Sequence, residues 1–299
     1  MTLKPRFSGS LAHKLNLITN LPPLRAAQCR LYRIQLSIYK EHFVLKGAML
    51  FHLWLGQQEL RVTRDVDLLS FGSDQPDLLK KIFIEICQTE TDEPDGLNFD
   101  LDNLHVERIK EGQKYQGVRV TFTALLEKTR IPLQIDIGFG DVVTPAAEKQ
   151  LFPVVLDGFS SPELWVYPKE TVLAEKFQAI VSLGIQNTRM KDFFDLYLLS
   201  ETMSFDGELV SKAVQSTFNK RETALPVDLP LAFTAAFSEE MLKIQQWNAF
   251  IRRIKQKIEL SEVIERLISF LMPVSQYVAE DKSFKMVWQP NQGWVEKRE

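Results

Sequence analysis

From Arg61 to Leu69 the chain reads Arg-Val-Thr-Arg-Asp-Val-Asp-Leu-Leu, and this alternation constrains the fold more than any other stretch. Val and Leu favour a pleated strand, on which every second side chain points the same way. Asp65 and Asp67 therefore share a face, with Arg61 and Thr63 in step with them. Two hard oxygen donors side by side suit Mg²⁺, which takes one or two carboxylates and completes its shell with water and substrate phosphates. Such a pair points to phosphoryl-transfer chemistry.

Two further segments strengthen the reading. Asp136 lies in the apolar run Ile131-Pro132-Leu133-Gln134-Ile135-Asp136-Ile137, where a charge is costly unless it is paired or ligates a metal. It is a candidate third ligand or general base. Lys46-Gly47 follows the strand-like Phe43-Val44-Leu45 and precedes Met49, Leu50, Leu53 and Trp54 at helical spacing. A Gly there marks a tight strand-to-helix turn, whose backbone N–H groups are placed to hold a triphosphate.

Two downstream blocks complete a recognisable order: Lys169-Glu170-Thr171-Val172-Leu173-Ala174-Glu175-Lys176 and Arg189-Met190-Lys191-Asp192-Phe193-Phe194-Asp195-Leu196. With Lys46-Gly47, Arg61-x-Thr63-x-Asp65-x-Asp67 and the Asp136 strand, residues 43 to 199 resemble the AbiEii/AbiGii abortive-infection toxins. These are type IV toxin–antitoxin nucleotidyltransferases of the polymerase-β-like superfamily. The resemblance implies that Asp65 and Asp67 bind the catalytic Mg²⁺, that Lys176 contacts the phosphates of a nucleoside triphosphate (NTP), and that Asp195 completes the site. It further implies tRNA, at its 3′ end, as acceptor, and a separately encoded antitoxin as counterpart. One departure stands out: many members carry a second Gly and then Ser or Thr where this chain has Ala48 and Met49. That hydroxyl is missing here.

Read without the family, Leu173, Phe177 and Ile180 form the buried stripe of a helix that starts after Pro168. Lys169 and Lys176 flank the stripe, either covering apolar surface with their stems or offering a cation to phosphates. Arg189, Asp192 and Asp195 step by three along a second helix. They make either a ladder of intrahelical ion pairs or an arrangement in which Asp195 orients Lys176 or a site water.

Strand and helix patterns alternate up to about residue 165, and helical patterns dominate from 168 onward. The expected architecture is an α/β nucleotidyltransferase lobe with a small mixed sheet over residues 1–165, and an all-helical lobe over 166–299, with the site in the cleft between them. Helices are expected at about 24 to 40, 76 to 88, 168 to 183, 189 to 200, 207 to 220, 237 to 258 and 261 to 278, strands at 115 to 124 and 131 to 138, and an aromatic-rich extended tail after 279.

The net charge of −3 argues against a surface coated with cations for indiscriminate nucleic-acid binding. Its distribution is uneven: residues 1 to 46 hold eight Lys or Arg against the single acid Glu41. This region reads as one edge of an RNA groove or as a solvated helix face, with Arg30 and Arg33 beside the stripe Ala27, Leu31, Ile34 and Ile38. Residues 88 to 103, with six acids and no base, read as a solvated loop. Two distant cysteines and four scattered histidines exclude a disulfide framework and a zinc cluster. The absence of an apolar span or secretory leader leads us to expect a cytoplasmic protein with no membrane partner. Two other classes fit the same motifs: a nucleotidyltransferase acting on a protein or small molecule, and a nucleotide-binding module without turnover.

Overall fold

The Val/Leu run after Asp65 forms a strand, and its neighbours assemble a sheet around it. The computed structural model of the chain describes residues 26–56, 65–92, 95–111, 115–154 and 160–297. Arg61 and Thr63, and the bases before residue 26, lie outside the described residues. The chain divides into two compact units. One takes described residues 26 to 140 with Glu148–Val166, and the other takes Asp141–Ala147 with 167 to 297.

The first unit opens with helix α1 (residues 26 to 36) and continues through β1 (Phe43–Lys46), α2 (Met49–Leu55), β2 (Val66–Ser70) and α3 (Pro76–Gln88). Strands β3 (Leu97–Glu111), β4 (Tyr115–Leu126), β5 (Thr129–Phe139), β6 (Glu148–Leu151) and β7 (Glu163–Val166) follow. Seven strands form one mixed sheet in the order β3-β4-β5-β2-β1-β7-β6. The pairs β2/β5 and β1/β7 are parallel, and the rest are antiparallel. Period-two alternation sorts each central strand. Ile131, Leu133, Ile135 and Ile137 of β5 and Val118, Val120, Phe122 and Ala124 of β4 are buried, which leaves Gln134, Asp136 and Arg119 on the opposite face.

The expected small sheet is thus corrected to seven strands, with β6 and β7 added and with β3 beginning inside the acidic stretch assigned to a loop. Leu97, Phe99 and Leu101 alternate with polar residues, then Leu104 and Val106 do so in the opposite parity. A bulge between Asp100 and His105 accounts for the switch, and it hides the strand from a period-two reading.

Two arginines of the N-terminal basic region are corrected as well. Arg30 and Arg33 are only 2% and 7% exposed, so they are neither an RNA-facing edge nor a solvated face. Arg33 pairs with the buried Asp95 and lies 5.0 Å from the Phe99 ring centroid. Arg30 donates from Nη1 to the Gln134 carbonyl of β5 at 3.3 Å and from Nε to the Ala26 carbonyl. These bonds tie α1 to the sheet.

The second unit is built on α4 (Lys169–Leu183), which buries Val172, Leu173, Phe177 and Ile180. Around it stand α5 (Met190–Thr202), α6 (Gly207–Lys220), the short α7 (Ala235–Ser238), α8 (Met241–Arg253) and α9 (Leu260–Ala279). Packed rings fill the interior: Phe177 meets Phe218 in a tilted pair at 5.3 Å and stacks with Phe233 at 6.2 Å, and Phe193 stacks with Phe237 at 5.4 Å. Truncating a fully buried Phe such as Phe177 costs about 3–5 kcal/mol. The helix expected over 237 to 258 is instead α7 and α8, separated at Glu240, whose ψ of 124° is extended.

The all-helical expectation is also overturned. β8 (Phe205–Asp206), β9 (Met286–Gln289) and β10 (Gly293–Glu296) form a three-stranded antiparallel sheet in the order β10-β9-β8. These strands are too short to show periodicity. What fixes them is the aromatic cluster of Phe270, Trp288 and Trp294, with Phe270 and Trp288 centroids 4.5 Å apart. Among the described residues no helix is long and apolar enough to cross a membrane.

Candidate functional site

Strand register brings the predicted residues of the first unit into one row. Lys46 of β1 stands opposite Asp67 of β2, Asp67 beside Asp136 of β5, and Asp136 opposite Arg119 of β4. Directly paired residues project from the same sheet face. The row therefore reads cation, carboxylate, carboxylate, cation across four strands. Asp65 lies two residues before Asp67, exposed and just outside β2.

Gly47 closes one end of this row. Its φ of +73° is in the left-handed region, and a Cβ added to it would fall 2.0 Å from Asp67 Oδ2. Glycine is required twice over, by the backbone angle and by the carboxylate pressed against it. Helix α2 follows directly, with Ala48 as an N-cap that makes no side-chain bond. The turn expected from Lys46-Gly47 is present, without a hydroxyl at its tip.

Asp136 is held firmly. Arg119 donates to it from Nε and Nη2, each at 2.8 Å, and Gln134 Nε2 donates to Oδ2 at 3.1 Å. The pair is one quarter to one third exposed. The hydrogen bonds to Asp136 keep the Arg119 guanidinium more strongly protonated than usual, with Asp65 among the more distant anions that contribute. Arg30, beneath the strands, has its pKa lowered to about 10 by burial, and Asp65 is among the anions that partly offset this. Sequence reasoning did not single out Arg119. Its signal was a charged residue at an outward position of an otherwise apolar alternating strand, and its partner is identified only by register.

Asp65 and Asp67 supply hard carboxylate oxygens of the kind a Mg²⁺ site takes, with water and phosphates as the remaining ligands. Both oxygens of Asp136, the expected third ligand, accept hydrogen bonds from Arg119 and Gln134. Among the described residues no three His, Cys, Asp or Glu side chains gather into a metal-holding group.

In the second unit, Lys176 of α4 donates from Nζ to Asp192 Oδ1 at 2.7 Å and to Asp195 Oδ2 at 2.8 Å, both on α5. Arg189 Nε lies 2.7 Å from Asp192 Oδ2. The structure thus brings Lys176 and Asp195 together as expected, and adds Asp192 as an equal partner. Burial opposes the charge on Lys176, yet the two carboxylates outweigh it and leave its pKa raised. Burial likewise opposes ionisation of Asp192, but Lys176 and Arg189 hold its carboxyl below the ordinary range. Lys169 plays a different part: its Nζ donates to the Ser204 carbonyl at 2.6 Å and lies 5.0 Å over the Phe205 ring.

Beside this cluster Arg221 donates to Asp141 Oδ1 at 3.1 Å and to Gln178 Oε1 at 2.9 Å, with Glu175 Oε1 at 3.4 Å. Thr171 Oγ1 donates to the Thr144 carbonyl and accepts from its N–H, at 2.7 and 2.9 Å. These bonds fasten residues 141 to 147 to α4.

No curated protein shows significant similarity to the chain. Two solved Helicobacter pylori proteins are each 16% identical to it. One, described as a candidate nucleotidyltransferase, has a TM-score of 0.47 and covers 88% of this chain and 96% of its own. The other, JHP933, has a TM-score of 0.45 and covers 92% and 94% respectively. The family described as nucleotidyl transferase AbiEii toxin, type IV TA system, matches residues 30–274, most of the chain. The chain belongs to the AbiEii family of nucleotidyl transferase toxins.

Proposed function

We propose that this chain transfers a nucleoside monophosphate from an NTP to a hydroxyl at the 3′ end of tRNA, releasing pyrophosphate. The observation that carries the reading is Asp67, fixed beside Asp136 on one side and against the Gly47 turn on the other. Asp65 and Asp67 would hold Mg²⁺. When bound, the ion would supply Lewis-acid activation of the α-phosphate and neutralise charge on the departing pyrophosphate.

The chain's own residues supply binding and orientation. Gly47 lets the backbone lie against Asp67 where any side chain would displace the carboxylate. Lys46 and Arg119 stand at the two ends of the carboxylate row, so anionic phosphates brought to Asp67 have a cation to either side. Within the second unit, Asp192 and Asp195 hold the Lys176 ammonium in a fixed orientation. The acceptor oxygen forms its bond to the α-phosphorus as the α–β bridging bond breaks, and its proton passes to a site carboxylate.

The test is incubation of purified protein with each labelled NTP and, separately, total tRNA, total protein and aminoglycosides, with Mg²⁺ present. Label in tRNA that disappears with Asp67→Asn supports the proposal. Label confined to protein or aminoglycoside would move the acceptor to those classes, and triphosphate binding without pyrophosphate release would make the chain a binding module. Toxicity on expression, relieved by a co-encoded antitoxin, would bear on the toxin–antitoxin role.

A further inference from the structure

We propose that Asp136 is a positioning residue and not a metal ligand: its carboxylate holds the Arg119 guanidinium in line with Asp67, where the guanidinium takes a phosphate of the NTP. The inference rests on the nucleotidyl-transfer reading above and deepens it.

Three observations carry it. First, Asp136 receives three hydrogen bonds, two from Arg119 and one from Gln134, so a metal ion would have to displace a charge-assisted bidentate pair to reach it. A cation anchored at 2.8 Å by two parallel bonds is a poor neighbour for a divalent ion on the same oxygens. Second, only Nε and one Nη2 hydrogen of Arg119 face Asp136. A guanidinium has five N–H groups, and no other described residue takes the remaining three. The side chain is 33% exposed, and Glu107, opposite it on β3, is a nearby anion that is not hydrogen-bonded to it. Third, the register sets Arg119 on the same sheet face as Asp67, one strand beyond Asp136. A planar fork held in one orientation is the preferred protein partner of a phosphate, since little rotamer entropy remains to be lost on binding.

A direct ligand and a positioning residue give different results in two measurements that need no turnover. The first is affinity for Mn²⁺ alone, by calorimetry or electron paramagnetic resonance. The second is affinity for α,β-methylene analogues of the four ribonucleoside triphosphates. Asp67→Asn is expected to abolish Mn²⁺ binding. Asp136→Asn is expected to keep Mn²⁺ affinity within about twofold while weakening analogue binding by roughly tenfold or more, the loss typical of a charge-assisted hydrogen-bonded contact. Arg119→Lys, which keeps the charge but loses the fork, should weaken the analogue similarly and leave Mn²⁺ untouched. The double variant should be little worse than either single one, because both remove the same contact.

Loss of Mn²⁺ affinity in Asp136→Asn comparable to that in Asp67→Asn would overturn the proposal while leaving nucleotidyl transfer intact. Unchanged analogue affinity in Arg119→Lys would overturn it too, even if Asp136→Asn misfolds. Failure of the wild type to bind either Mn²⁺ or any analogue would instead remove the functional reading, and this inference with it.

Discussion

The two charged groupings of this molecule are housed differently. The Arg119–Asp136 pair of the first unit is 33% and 25% exposed, on a sheet face opposite the core. In the second unit Lys176 is 13% exposed, Asp195 2% and Asp192 not at all. A partly exposed ion pair is screened by water and adds little to stability, whereas a buried carboxylate left without its cation costs several kcal/mol. The first grouping therefore keeps one edge of its guanidinium paired while the other edge stays within reach of solvent. The second is suited to hold one ammonium in one place, and the fold depends on it.

The contrast is sharpest at Asp67. Asp67→Asn should lower nucleotidyl transfer by about a thousandfold or more, yet leave the melting temperature within a few degrees, because removing one of several neighbouring negative charges relieves repulsion and opens no cavity. Transfer rates and calorimetry on the same preparation check both halves. A large stability loss would erase the distinction between the two groupings.

Lys176→Met should reverse the pattern. Two buried carboxylates lose their shared cation, a change worth about 3–5 kcal/mol and roughly 10 °C in melting temperature, alongside any loss of phosphate binding. Thermal unfolding decides it. A fully stable variant with impaired triphosphate affinity would make Lys176 purely functional.

Gly47→Ala tests the seam between structure and chemistry. Left-handed backbone at a non-glycine residue costs roughly 1–2 kcal/mol, and the new Cβ would overlap the Asp67 carboxylate. Stability should fall by about that amount, while transfer falls much further. Equal, small losses in both would show that Asp67 can shift without consequence.

The smallest expected effect is in the pH dependence of stability. Asp192 has its folded pKa below the ordinary 3.8, so its contribution is present above that value and fades as pH falls through the lowered one. Lys176, raised above 10.5, contributes fully below that value and loses its contribution as pH rises through the folded pKa. Melting temperature should thus be flat between roughly pH 5 and 9 and decline on both sides. Asp192→Asn should flatten the acid limb, and an unaltered limb would place the acid sensitivity elsewhere.

Local periodicity carried part of this structure into view from the sequence. The apolar alternation around Asp136 and the stripe on α4 are each encoded within a dozen residues and are found where the pattern puts them, and Asp67 lies on β2 while Asp65 falls just before it. Long-range pairing was not encoded in that way. Arg33 meets Asp95 across 62 positions and Arg30 meets the Gln134 carbonyl across 104, so two arginines that read as part of a nucleic-acid face are in fact internal braces. Arg119 was overlooked for the same reason, since the register that sets it against Asp136 exists only in the folded sheet. The bulge in β3 and the short strands β8 to β10 escaped because each breaks or underfills the period on which recognition depends.

The row Arg119, Asp136, Asp67 and Lys46 sums to no net charge. Asp65 beside Asp67 and Glu107 opposite Arg119 add negative charge around it before any ligand arrives, and the whole chain carries −3. A triphosphate is not drawn in from a distance as it would be by an open basic funnel. Its capture depends on short-range encounter, and the association rate should hold steady or rise as added salt screens the ambient repulsion, the opposite of electrostatic steering.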